Sequence, residues 1–160
     1  MKKLQNRSEG FTIIEVLIVL AIAGLIMLIV FLAVPALQRN SRNTQRNSDA
    51  SLIASGVNEC LNNRNGQISS CNDASDGDNL GAFIDESRLS QLTAVRTPSG
   101  AATAPGSDGT ITNEANIFFG ARCAPDGAGP DGGGGLARDY VVLFRIEGSN
   151  GSLTRCISSG

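Results

Sequence analysis

The chain has 160 residues, 13 Lys+Arg against 15 Asp+Glu, no histidine and a net charge of −2. That length holds one domain and an appended segment. The missing histidine excludes His-based triads, His general bases and most zinc-enzyme sites, and the charge excludes a bulk basic field for nucleic acid.

The start of the chain is basic. Lys2, Lys3 and Arg7 precede a long apolar run, no Lys follows it, and the chain from residue 11 onward carries 10 Arg against 14 Asp+Glu. Val16–Leu37 is 22 residues without a polar side chain, enough for a helix to span a bilayer, which takes about 20. No second such run follows, so a multispanning protein is excluded. Gly24 and Pro35 interrupt the run; Pro35 removes a backbone donor and is expected to kink or loosen the helix. A static signal-anchor explains the length and the basic flank. A secretory signal cut after Ala36 fits less well, because the run exceeds the usual ~7–15 apolar residues and Glu15 is out of place. Processing ahead of the run is the third possibility.

The junction Ser8-Glu9-Gly10-Phe11-Thr12-Ile13-Ile14-Glu15 decides between them. With the aliphatic stretch behind it, this junction resembles the type IV pilin family, including the pseudopilins of secretion and DNA-uptake systems. The resemblance covers about residues 1–37. It implies a leader ending at Gly10, cleavage by a prepilin peptidase, and Phe11 as an N-methylated first mature residue. Glu15 matches the family's charged fifth mature residue, and Gly24 a glycine often seen further along the helix. Pro35 stands eleven residues after Gly24, about one helical turn later than the proline common in the family.

Glu15 has its own physical logic. A carboxylate inside a bilayer costs roughly 2.5–3.5 kcal/mol on insertion scales, so it must be protonated, snorkelled or paired. Cleavage after Gly10 would free a cationic amine on Phe11 at similar depth. In the family picture, Glu15 of an incoming subunit meets the Phe11 amine of one already assembled. Thr12-x-x-Glu15 is also a capping-box pattern ahead of an apolar run, and the two roles are compatible.

Gln38–Ser51 is polar and free of Gly and Pro, so it can continue the helix. Arg39, Arg42 and Arg46 share one face. They are expected to form a solvated surface near the lipid headgroups with Asp49 beside Arg46, the alternative being contact with acidic surfaces of neighbouring subunits. Leu52, Ile53, Gly56, Val57, Cys60 and Leu61 then recur at helical spacing and predict an apolar stripe that packs on a head. A helix from Phe11 to Leu61 would be about 75 Å long.

From Asn62 onward only 20 of 99 residues are large and apolar, a thin core that cross-links would support by roughly 2–4 kcal/mol each. Cys60, Cys71, Cys123 and Cys156 all follow the membrane-length run, on the side that would be exported. They read as two disulfides with three possible pairings; a four-thiolate zinc site is the lesser alternative. Cys60 ends the helix and Cys71 follows a short polar turn, which makes 60–71 the expected pair. Cys123 and Cys156 bracket the end of the sheet, resembling the C-terminal disulfide-bounded region of many pilins. Asp73, Asp76 and Asp78 suggest an acidic solvated loop, with calcium binding as the alternative, although the spacing is not that of an EF-hand. No metal or cofactor is called for.

Phe83, Ile84, Leu89, Leu92 and Val95 predict a short helix or loop anchored on the head, and Thr97–Gly109 a surface loop. Strands are expected at Asn116–Cys123, at Tyr140–Glu147 with Tyr140, Val142, Phe144 and Ile146 on one face, and at Ser152–Ile157 after the turn Gly148–Gly151. Pro125–Gly135, with six glycines, reads as a flexible connection.

The expected fold is α+β and pilin-like. It comprises a leader (1–10), a transmembrane and filament-core helix (11–37), a continuation packed on the head (38–61), and a disulfide-bonded head with a small antiparallel sheet (62–160). The resemblance implies a structural subunit, not an enzyme. It would be a major pilin lodged in the cytoplasmic membrane as a single-pass precursor and then polymerised on the cell surface for adhesion, twitching motility or DNA uptake. Its partners would be other pilin copies, the peptidase, an assembly ATPase and a membrane platform. The alternatives are a minor pilin or pseudopilin of a type II secretion or competence system, or a tip protein that binds DNA or a host surface, for which Arg122, Arg138 and Arg155 would supply phosphate contacts. A membrane-tethered enzyme would need a nucleophile such as an unpaired cysteine.

Overall fold

The computed structural model describes residues 10–71, 80–106, 110–131 and 134–159. Of the leader only Gly10 is described; Lys2, Lys3 and Arg7, and the Asp73, Asp76 and Asp78 cluster, lie outside the described residues. The elements run α1 (Ile13–Asn63), β1 (Ala94–Arg96), β2 (Glu114–Phe119), β3 (Tyr140–Gly148) and β4 (Gly151–Ser158). The chain divides into two compact units, Met1–Arg39 and Asn40–Gly160.

The first unit is helical from Ile13 and stays so through Gly24 and Pro35. At Pro35 the missing N–H leaves the Phe31 carbonyl without its usual helical donor. Phe11–Leu37 is exposed at every position, and α1 is long and apolar enough to cross a membrane. A helix greasy on all sides is stable only where lipid or other helices surround it.

The second unit holds the rest of α1, which ends at Asn63. Asn65 and Gly66 turn left-handed there (φ 52° and 78°), and the Gly66 N–H donates to the Leu61 carbonyl at 2.7 Å, closing the helix as αL caps do. The buried positions of α1 are Arg46, Asp49, Ala50, Ile53, Ala54, Gly56, Val57, Cys60 and Leu61. This is a stripe at three- and four-residue spacing. It begins earlier than the apolar pattern indicates, and it leaves Leu52 exposed on the flank.

The sheet has the order β1-β2-β3-β4. Its last three strands are antiparallel, but β1 pairs parallel to β2, with Val95 opposite Ala115. The sheet is therefore mixed where a purely antiparallel one was expected. Val95 is buried as the middle residue of that edge strand, while Leu80–Ala82 and Glu86–Arg88 form short 3-10 turns. Strand β2 is shifted two residues early and stops at Phe119, where Gly120 takes a positive φ of 72°.

Tyr140, Val142, Phe144 and Ile146 of β3 face the helix and share one core with Ile53, Val57, Cys60 and Leu61. The Tyr140 hydroxyl donates to the Ala54 carbonyl at 2.8 Å, and burial raises its pKa. The opposite face is also covered. Phe118, Val141 and Leu143 form a second cluster under Ala102, Ala104, Ala121 and the Cys123 and Cys156 sulfurs. Read for alternation alone, β3 hides this second face; its unbroken run Tyr140-Val-Val-Leu-Phe144 is what a strand buried on both sides looks like.

Cys60 is bonded to Cys71 and Cys123 to Cys156, with Cα atoms 6.0 and 5.6 Å apart, and none of the four is free. The described part of the Gly-rich connection carries backbone hydrogen bonds, while Gly132 and Gly133 lie outside the described residues. Ala124 N–H bonds the Gly129 carbonyl at 2.9 Å, Asp131 N–H the Arg122 carbonyl at 2.6 Å, and Cys156 N–H of β4 the Gly127 carbonyl at 3.0 Å.

Candidate functional site

In the first unit the residues that matter are Gly10, Phe11, Thr12 and Glu15. Thr12 precedes the helix and acts as its N-cap. Its backbone N–H and its hydroxyl donate to Glu15 Oε2 at 2.9 and 2.7 Å, and the Glu15 N–H reaches back to Thr12 Oγ1 at 3.4 Å. This is the reciprocal capping box. It commits one carboxylate oxygen and leaves Oε1 without a hydrogen-bond donor among the described residues. Phe11, Val16, Val19 and Leu20 line a shallow apolar hollow with Glu15 at its edge. A charge placed there, in surroundings that exclude water, is stable only with a partner. The geometry thus supplies both a capped helix start and an acid with spare acceptor capacity one turn from the Gly10–Phe11 bond.

In the second unit, α1 meets the head through a polar seam that the sequence reading assigned to solvent. Arg42 makes a two-pronged contact with the Glu147 carboxylate, 2.5 Å at Nε and 2.6 Å at Nη2, and this hydrogen bonding raises its pKa. Asn43 takes both backbone groups of Glu147: its amide donates to the carbonyl at 2.8 Å and its Oδ1 accepts the N–H at 2.8 Å. Pairing between β2 and β3 ends at Asn116 with Leu143, so the Asn43 side chain stands in for a strand neighbour at Glu147.

Arg46 is only 3% exposed. It donates to the Thr112 carbonyl at 2.8 Å, Asn113 Oδ1 at 2.9 Å and the Arg145 carbonyl at 3.3 Å. Burial pushes its pKa down, against the pull of Glu147. Asp49, 2% exposed, does not pair with Arg46. Its carboxylate accepts the N–H groups of Ser90, Gln91 and Leu92 at 3.0, 2.6 and 2.9 Å, gathering three loop amides as a helix N-terminus gathers an anion. Arg46 is therefore buried rather than part of a solvated face, whereas the Arg42 side chain, 43% exposed, stays partly solvated while paired with Glu147. The overlooked signal was position: Arg46 and Asp49 extend the Ala50–Ile53–Val57–Cys60 stripe one turn further.

Of the arginines considered for phosphate contacts, Arg122 pairs with Asp139 at 2.6 Å. Arg138 flanks Gly66, and Arg155 is exposed on β4. Among the described residues no cluster of His, Cys, Asp and Glu is grouped to hold a metal ion.

No curated protein and no solved structure matches the chain. The prokaryotic N-terminal methylation motif matches residues 5–31, a span that contains Gly10, Phe11, Glu15 and Gly24. Such a leader implies processing by a prepilin peptidase and assembly into pilus-like polymers, and with the apolar helix it fits a membrane-anchored precursor. The capped apolar helix, exposed throughout 11–37 and carried by an α+β chain of pilin-like arrangement, thus follows directly on the class III leader of type IV pilins.

Proposed function

We propose that this chain is the structural subunit of a type IV pilus. It is cut after Gly10, N-methylated on Phe11 and polymerised into a surface filament, with no catalysis of its own. The observation that carries this is the coincidence of the methylation motif at 5–31 with an apolar helix exposed on every side. That surface is satisfied first by lipid and then by the helices of other copies. Glu15 supplies the charge that pairs with the freed Phe11 amine of an adjacent subunit, while Thr12 holds its carboxylate in place. The 38–61 continuation and the disulfide-bonded head of 62–160 form the outer layer. The filament platform and ATPase act as partners, and adhesion, twitching motility or DNA uptake is the purpose served.

Shearing tests this reading. In cells with a complete pilus system, the chain should dominate the sheared surface filaments. A trace in filaments built from another subunit would make it a minor pilin or pseudopilin. Retention of all of it in the membrane would refute polymerisation.

A further inference from the structure

Asn40–Asp49 contains no apolar side chain, yet it docks on the head. It is tied there by hydrogen bonds: Arg42 and Asn43 to Glu147, Arg46 to Thr112, Asn113 and Arg145, Gln45 to Gln91, and Asp49 to Ser90–Leu92. From Ala50 to Leu61 the same helix is held by apolar packing and by the Cys60–Cys71 bond. These two modes of attachment respond differently to opening. Lifting an apolar stripe bares surface that water penalises. Lifting a polar seam exchanges protein hydrogen bonds for bonds to water, with little net change for each.

We infer that residues 40–49 of α1 form a releasable joint, which detaches from the head as a unit while residues 50–61 stay packed. Within the head, the groups that would lose a partner are the Ser90, Gln91 and Leu92 amides and the backbone and carboxylate of Glu147. The Ser90–Leu92 amides are held by the Asp49 carboxylate while Leu92 itself sits in the core, and Glu147, which stays opposite Ser152 of β4, is held to α1 by Arg42 and Asn43. Lifting 40–49 withdraws no apolar side chain of α1 from the head, so it bares less apolar surface than separating 50–61 and lies below global unfolding in free energy. The inference concerns only the Asn40–Gly160 unit and stands whether or not the chain polymerises.

Four amides report on the joint directly. Ser90, Gln91 and Leu92 donate to Asp49 at one end, and Glu147 donates to Asn43 at the other. Hydrogen exchange followed by NMR on the full chain in detergent micelles should show these four exchanging faster than the β3 amides of Val141–Phe144. Their exchange should also depend little on added denaturant, because an opening that bares little surface has a small denaturant slope. Asp49→Asn should speed exchange at Glu147 as well as at Ser90–Leu92, and by a larger factor than at Val141–Phe144. Asn43→Ala, which perturbs the other end and serves if the first variant does not fold, should speed exchange at Ser90–Leu92. Two results overturn the joint. One is four reporters exchanging at the β3 rate with the β3 denaturant slope. The other is variant effects confined to the amides that lose their own acceptor.

Discussion

Glu15 carries two duties that one substitution separates. Glutamine keeps an acceptor for the Thr12 N–H and hydroxyl, so Glu15→Gln should preserve the helix start and membrane insertion. It removes the charge, and an amine left unpaired in a dry environment costs on the order of 3–5 kcal/mol. The expected outcome is a processed subunit in the membrane and almost none in the sheared filament fraction, read by immunoblot; normal filament levels would remove the pairing role. Asp49 offers a different test. Asp49→Ala would strand three loop amides that now share its carboxylate, a loss of about 3 kcal/mol measurable as a lower unfolding midpoint. Asp139 contributes to acid sensitivity. Its pKa is lowered by the Leu136 N–H and then by Arg122, so its stabilisation is complete at neutral pH and fades as pH falls through that lowered value. In Asp139→Asn this part of the acid loss should vanish, seen as a flatter thermal midpoint between neutral and acid pH. The sequence made Glu15 conspicuous because an acid inside an apolar run is costly anywhere. It hid Arg46 and Asp49 because a polar residue on a helix reads as solvated until its partners, tens of residues away, are in place.

At the level of elements, α1 was readable because its two halves carry different signals, an unbroken apolar run and then a stripe at helical spacing. The strands at 140 and 152 were readable through the Gly148–Gly151 turn. Strand β1 was not, since three residues with one buried valine carry no periodicity, and its parallel partner lies beyond a loop. Gly56 shows how closely α1 approaches the head: a Cβ there would lie 2.7 Å from Ile84 Cγ1 and 2.8 Å from the Phe83 carbonyl oxygen. Gly56→Ala should therefore destabilise by about 1–3 kcal/mol through overpacking, despite the better helix propensity of alanine. The cross-links should also differ. They span 33 and 11 residues in sequence, and chain entropy makes the longer worth roughly 1 kcal/mol more. Replacing Cys123 and Cys156 with alanine should lower the thermal midpoint further than replacing Cys60 and Cys71; the reverse order would show that burial of the 60–71 pair outweighs loop length.

Across the whole molecule, Val16–Leu37 of the first unit is apolar and exposed at every position, and the second unit is a small body with a core on each face of its sheet, two cross-links and a polar seam. Neither chemistry explains the other unless the first unit finds its surroundings elsewhere, in lipid and then among copies of itself. The N-terminus decides whether that happens, because only cleavage ahead of the apolar run keeps the helix and frees a cation beside Glu15. Terminal sequencing by mass spectrometry of the exported form tests this most directly. A chain starting at an N-methylated Phe11 is the predicted result. A start at Leu37, or an intact Met1, would contradict it.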